Sequence, residues 1–169
     1  SEMCIRDRSI DFNNIQITVN GNAILYDQEI KYLGTILDSN LKFHAHADYV
    51  MRKFSKKVSF ITRIGKNLSL HTKLTLYNAI ALPHLQFCST LLFHLPQYKI
   101  SQLEKIQNRA MRMILKCNRY TPVRSMLSVL NMFSVKQRIM FNVNLFAFKL
   151  KNNILPVSYT HLRAHETDS

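Results

Sequence analysis

The hydrophobic period changes once along this chain, and that change limits the folds open to it. Through the stretch IQITVNGNAILYDQEIKYLGTILD, apolar and polar residues alternate at Ile15, Ile17 and Val19, turn at Asn20-Gly21, and resume at Ala23 to Tyr26 and Ile30 to Leu37. Alternation at period two is the mark of strands with one buried face. Asn-Gly is a hairpin signal because both residues tolerate the positive φ of a type I′ turn. Gly34 falls inside the last predicted strand and suggests a bulge or a close approach by another backbone. From about Leu41 onward the period becomes that of a helix.

In the first predicted helix, about Ala45 to Ile64, the apolar residues Ala47, Val50, Met51, Phe54, Val58 and Ile61 share one side at 100° per residue. Arg52, Lys53, Lys56, Lys57, Arg63 and Lys66 take the other. Gly65 and Asn67 are stop signals, and Ser69 can cap a second helix through Leu74, Tyr77, Ile80 and Ala81, which Pro83 should kink or end. HLQFCSTLLFHL continues as buried structure up to Pro96. A third helix, about Lys99 to Cys117, turns Ile100, Leu103, Ile106, Ala110, Ile114 and Cys117 inward and Lys105, Arg109, Arg112 and Lys116 outward. Thr121-Pro122 reads as an N-cap followed by proline at the first helical position of a short fourth helix. Ser134 with Gln137 reads as a capping box for a fifth, about Val135 to Ile154. The expected fold is mainly α with a small N-terminal antiparallel β-hairpin or sheet, an α+β arrangement ending in a basic bundle of about five helices.

Charge then narrows the function. Of the 169 residues, 23 are Lys or Arg against 10 Asp or Glu, and the excess is uneven. From Tyr49 to Pro156 there are 18 basic residues and one acid, Glu104. Such a segment calls for a partner of dense negative charge, nucleic acid before anionic membrane. Cys4, Cys88 and Cys117 are odd in number and lack CxxC spacing, so neither a disulfide framework nor a zinc site is suggested, and the compartment reads as reducing and intracellular. No apolar run reaches the roughly 20 residues of a membrane span.

The ends differ from the middle. SEMCIRDRS (residues 1–9) and VSYTHLRAHETDS (residues 157–169) share neither its periodicity nor its charge, and both resemble peptides translated from sequencing-adapter DNA. The expected organisation is therefore two adapter-like tails around a hairpin unit at residues 10–40 and a helical unit at 41–156, an internal piece of a longer protein. Deleting both tails should leave the melting temperature nearly unchanged, which thermal unfolding of the trimmed chain would check.

Other candidate chemistry is sparse. His44 and His46 form an HxH pair without a third ligand nearby in sequence, and the tail residues His161, His165, Glu166 and Asp168 lie in a segment set aside as foreign. Phe141, Phe146 and Phe148 at helical spacing read as core before base-stacking platforms. With Gly21, Gly34 and Gly65 as its three glycines, the chain has no phosphate-binding glycine loop.

The order IKYLGTILDSNLKFHAHADYVMRKFSKKVSFITRI, then LTLYNAIALPHLQFCSTLLF, then LEKIQNRAMRMIL resembles the segment after the catalytic palm in reverse transcriptases of non-LTR retrotransposons of the LINE or jockey type. By that resemblance Tyr32, Leu33 and Gly34, with Lys31 beside them, would sit in a primer-grip hairpin. Arg52, Lys53, Lys56, Lys57 and Arg63 would lie on the first thumb helix, with Lys66 just past it. His46 matches the family's histidine, and Phe87 stands where an aromatic is usual. The resemblance implies as partners an RNA/DNA primer–template duplex and the missing palm and fingers of a parent polymerase, with no membrane. It also implies a parent that uses magnesium and works in a cytoplasmic or nuclear ribonucleoprotein.

The family's paired metal-binding carboxylates come from an ADD turn and an earlier Asp strand, and this chain has no DD anywhere. Asp38 resembles the family's LD, but a turn or helix-start role is its simpler reading. The expectation is a non-catalytic fragment with no catalytic residues, no metal site and no cofactor of its own. The alternatives are a free-standing basic helical nucleic-acid binder and a membrane-surface or protein-interaction module.

Overall fold

The structure, a computed structural model, describes residues 17–19, 22–24 and 27–154. The predicted turn at Asn20-Gly21 and both adapter-like tails lie outside the described residues. Strand β1 (Ile17–Val19) pairs antiparallel with β2 (Asn22–Ile24), placing Val19 opposite Asn22 as a two-residue connection requires. Strand β3 (Glu29–Tyr32) pairs with β4 (Thr35–Asp38), with Tyr32 opposite Thr35. Among the described residues these are two separate hairpins and not one sheet.

The stretch Ile30 to Leu37, expected as a single strand with a bulge at Gly34, is therefore two strands joined at Leu33-Gly34. Both residues have positive φ, 45° and 85°, as a type I′ turn demands. Leucine gives no turn signal, and apolar neighbours on both sides keep the strand pattern running through it. That is why alternation concealed the turn.

Six α-helices follow among the described residues: α1 (His44–Ile64), α2 (Leu70–Leu76), α3 (Leu82–Gln86), α4 (Gln97–Leu115), α5 (Val123–Val129) and α6 (Val135–Lys151). The helix expected to kink or end at Pro83 does neither in the simple sense. A π-helical turn, Tyr77–Ala81, separates α2 from α3, and the Leu82 N–H reaches back five residues to the Tyr77 carbonyl. Proline has no N–H and crowds the preceding turn, so widening that turn just before Pro83 accommodates it while the chain stays helical. This division raises the count from about five to six. The predicted caps at Ser69 and Ser134 form, with Ser69 accepting the Thr72 N–H and Ser134 and Gln137 making a reciprocal capping box. Helix α5 starts one residue later than expected, with Pro122 itself at the N-cap.

Helix α1 is the centre of the packing. Ala47, Val50, Phe54, Val58 and Ile61 are buried on one side of it, as the stripe predicted, and Met51 packs at the margin. Phe54 meets Tyr77 edge-on, ring centroids 6.3 Å apart. Leu103, Ala110, Met111 and Ile114 of α4 complete the core beside Leu85 and Leu92. Gly65 ends α1 without a positive φ; it is buried, and a Cβ there would meet the Met113 sulfur at 3.5 Å and the Lys73 stem at 3.7 Å.

Helix α6 departs from expectation. Val135 and Ile139 are buried, whereas Phe141, Phe146 and Phe148 are 47–59% exposed. Past its first turns the helix runs beyond the core, with Asn142 donating to the Ser89 hydroxyl at 2.7 Å near its midpoint.

The β3–β4 hairpin is tied to the helices by side chains from three places. The Ile36 N–H donates to Nδ1 of the fully buried His46 at 3.4 Å, and the Thr35 hydroxyl donates to the Cys88 sulfur at 3.3 Å. A Cβ on Gly34 would sit 3.4 Å from the Phe87 ring. The Asp38 carboxylate accepts the Lys42 and Phe43 N–H groups at 2.9 and 2.5 Å, holding the turn that opens α1.

Burial lowers the His46 pKa from its ordinary 6.5, so the folded protein holds this imidazole neutral. As pH falls below about 6.5 the unfolded chain takes the proton first, and stability drops until the folded pKa is passed. Burial, then Lys57 and Lys53, lower His84 as well, so both histidines contribute with the same sign. The urea midpoint should fall between pH 7.5 and 5.5. His46→Gln, which keeps an acceptor for Ile36, should flatten that dependence in part, and the double change with His84→Gln should flatten it further.

Candidate nucleic-acid interface

The outward side of α1 carries the charge. Arg52, Lys53 and Lys56 are exposed and Lys57 is half-buried. These four line an open depression closed at its two ends by Tyr49 and Phe60. At 1.5 Å rise per residue the two aromatics stand about 16 Å apart along the axis. A second depression, between α1 and α4, is lined by Met51, Arg52, Ser55, Lys56, Ser59, Arg63 and Ile106. Arg52 and Lys56 thus form the ridge between the two. Arg109 reaches across from α4 to donate to the Ser59 and Ser55 hydroxyls at 3.0 and 3.4 Å, bringing a further guanidinium to this side.

Tyr49 is the junction with the hairpin. Nζ of Lys31 from β3 lies 5.1 Å from its ring centroid, and Nζ of Lys53 from the next turn of α1 lies 5.3 Å from it. The Lys53 ammonium first, and that of Lys31 as well, hold the phenol below its ordinary 10.0 against an opposing push from burial. His46 stacks behind at 6.5 Å between centroids. His84 of α3 is half-buried, and burial first, then the charges of Lys57 and Lys53, lower its pKa.

The structure brings Lys31, Lys53, Arg52, Lys56 and Lys57 onto this surface and Arg63 to its α4 side. The hairpin tip lines neither depression. Tyr32 and Leu33 are 62% and 80% exposed, and Gly34 packs toward Phe87. Lys66 sits in the 3₁₀ turn Gly65–Asn67 past the helix and lines neither depression. Sequence reasoning missed Tyr49, Phe60, His84 and the Arg109 bridge as parts of the site. Tyr49 and Lys53 stand at i and i+4, as do Lys53 and Lys57, so that part of the row was readable from spacing. The contributions of His84 and Arg109 depend on which helices pack against α1, and no local pattern carries them.

Charge compensation on this face is weak. The single ion pair among the described residues joins Lys99 of α4 to Asp48, one turn before Arg52 on α1. Among the described residues no group of three His, Cys, Asp or Glu side chains could hold a metal ion. His44 and His46, two apart at the start of α1, do not share a face. No helix among the described residues is long and apolar enough to cross a membrane.

The chain is 27% identical over 101 residues to the RNA-directed DNA polymerase from mobile element jockey of Drosophila funebris, a match covering 58% of this chain and 11% of that one. It is 24% identical over 111 residues to the retrovirus-related Pol polyprotein from type-1 retrotransposable element R1 4 of Nasonia vitripennis, covering 64% of this chain and 28% of that one. This is a segment related to non-LTR retrotransposon reverse transcriptases. It spans 11% and 28% of the length of these curated relatives. No family model matches the chain, and no solved structure matches it. A non-LTR reverse transcriptase relationship agrees with the order of motifs along the sequence.

Proposed function

We propose that this segment holds the primer–template duplex of a retrotransposon RNA-directed DNA polymerase, with the α1 cationic face lying along the phosphate backbone and the β3–β4 hairpin beside the primer end. The observation that carries the reading is the row Arg52, Lys53, Lys56 and Lys57, presented along a helix whose other side is core, in a region with 18 basic residues to one acid. Phosphate contacts of this kind position a duplex without reading bases, which suits an enzyme that copies any template.

The segment acts here as a binder and not as a catalyst. The parent's magnesium pair needs converging carboxylates, and among the described residues no three His, Cys, Asp or Glu side chains come together to hold a metal ion. Asp38 is occupied by backbone N–H groups, Asp48 by Lys99, and no two aspartates are adjacent in sequence. Palm and fingers elsewhere in the parent polypeptide would supply the chemistry.

Anisotropy titration of labelled nucleic acids at several salt concentrations tests the proposal. Four phosphate contacts give a log–log slope near −3.6, about a 10²-fold loss of affinity between 50 and 200 mM salt. A duplex with a recessed 3′ end should bind more tightly than a blunt duplex or a single strand. Equal affinity for all three would favour a free-standing nucleic-acid binder. Comparable binding to anionic vesicles would favour a membrane-surface module.

A further inference from the structure

We propose that Lys31, Tyr49 and Lys53 form one phosphate clamp, in which an ammonium from the β3–β4 hairpin and one from α1 close on the same backbone phosphate of a bound strand. This rests on the reading of α1 as a nucleic-acid face and adds to it a specific shared contact between two structural elements.

The geometry is convergent. Two cations from different elements, 22 positions apart in sequence, approach one phenol ring at 5.1 and 5.3 Å, so the ammonium groups lie within about 10 Å of each other. A neutral phenol cannot neutralise two ammonium groups, and the ion pair among the described residues, Lys99–Asp48, leaves both of them out. A phosphate can neutralise them, because its oxygens accept charge-assisted hydrogen bonds from several directions at once. The Tyr49 hydroxyl supplies a third donor between them.

The site is also braced from behind. His46 stacks on Tyr49 and accepts the Ile36 N–H, so the side chain under the ring is the one that ties β4 to α1. The clamp opens directly into the depression lined by Arg52, Lys53, Lys56, Lys57 and Phe60, so a strand following that row would present its next phosphate at Tyr49. Binding there locks the hairpin to the helix, and Tyr49 acts as the residue that positions the two lysines.

The test uses the salt slope, which counts neutralised phosphates and not lysines. Lys31→Met and Lys53→Met keep the aliphatic stems and are measured singly and together against one labelled duplex. Two lysines on one phosphate predict that each single change weakens binding a few-fold with little change in slope, and that the double change lowers the slope by about 0.9. A slope drop of about 0.9 for each single and about 1.8 for the pair would mean independent contacts and would overturn the clamp. An unchanged slope in the double variant, with wild-type binding intact, would overturn it and leave the α1 reading standing. Wild type without salt-dependent binding would overturn both. Tyr49→Phe removes no charge and should weaken affinity at constant slope; unaltered affinity would count against its positioning role. Running each titration on duplexes ending in a 5′-phosphate or a 5′-hydroxyl separates the two sources of phosphate. Equal losses support a backbone phosphate, and a loss confined to the phosphorylated end would overturn that assignment.

Discussion

Replacing Lys53, Lys56 and Lys57 together with alanine should weaken duplex binding by about tenfold for each phosphate left without its lysine, and flatten the salt slope by about two to three units. All three side chains leave the core untouched. Their helix buries its opposite side, through Ala47, Val50, Phe54, Val58 and Ile61. Alanine is also the strongest helix former, so the substitutions should cost the helix nothing in propensity. Removing three like charges spaced three and four apart even relieves some repulsion along α1. Thermal unfolding should therefore be unchanged or slightly improved while binding collapses. The slope separates finer readings: if Lys31 and Lys53 share a phosphate, Lys31 still neutralises it and the slope flattens by about two units; if Lys53 acts alone the change approaches three. Preference among duplex sequences should not change, because these contacts position the backbone and do not read base edges. An unchanged slope in the triple variant would place the nucleic-acid surface elsewhere on the protein.

What the sequence made legible depended on whether the physical signal was local. The α1 stripe, the Ser69 cap and the Ser134–Gln137 capping box each arise from residues within a few turns, and each formed where the spacing put it. The Leu33-Gly34 turn was hidden because a leucine at positive φ contradicts its own preference; tertiary anchoring through Phe87, Cys88 and His46 holds the hairpin that makes this turn necessary. The π-helical turn was likewise unreadable, since Pro83 announces a disturbance without saying whether the chain will break, kink or widen. Phe141, Phe146 and Phe148 show the same limit from the other side. Their spacing is that of a buried face, but burial requires a neighbour, and among the described residues α6 meets one mainly in its first half. In the candidate site the lysine row was a helix-periodicity statement and was readable. Its junction with the hairpin at Tyr49 depended on a long-range approach by Lys31 and was not.

The second large effect belongs to the inner side of the same helix. Phe54→Ala should destabilise the fold by about 3–5 kcal/mol, the usual range for deleting a buried phenylalanine. Phe54 is 0% exposed and its ring meets the edge of Tyr77, whose buried hydroxyl has no partner among the described residues and whose pKa burial raises. A cavity at that point loosens α1 and the π-helical turn together, because Tyr77 begins that turn. Domains of this size hold about 5–15 kcal/mol in total, so the loss consumes a large share of it, and the melting temperature should drop by roughly 10–20 °C. Phe148→Ala supplies the matched comparison. It deletes the same ring from a position 59% exposed, where surface substitutions stay within about 0.5 kcal/mol, and it should leave the melting curve almost where it was. Urea unfolding of both variants measures the difference, and equal midpoints would contradict the burial assigned to α1. Duplex binding separates the two sides of α1, because they make opposite predictions. Below its lowered melting temperature the Phe54 variant keeps every cation and should retain its salt slope, whereas the triple lysine variant keeps its stability and loses the slope. A flattened slope in a still-folded Phe54 variant would mean that the cationic row depends on the close seating of α1 against Tyr77, and not on charge alone.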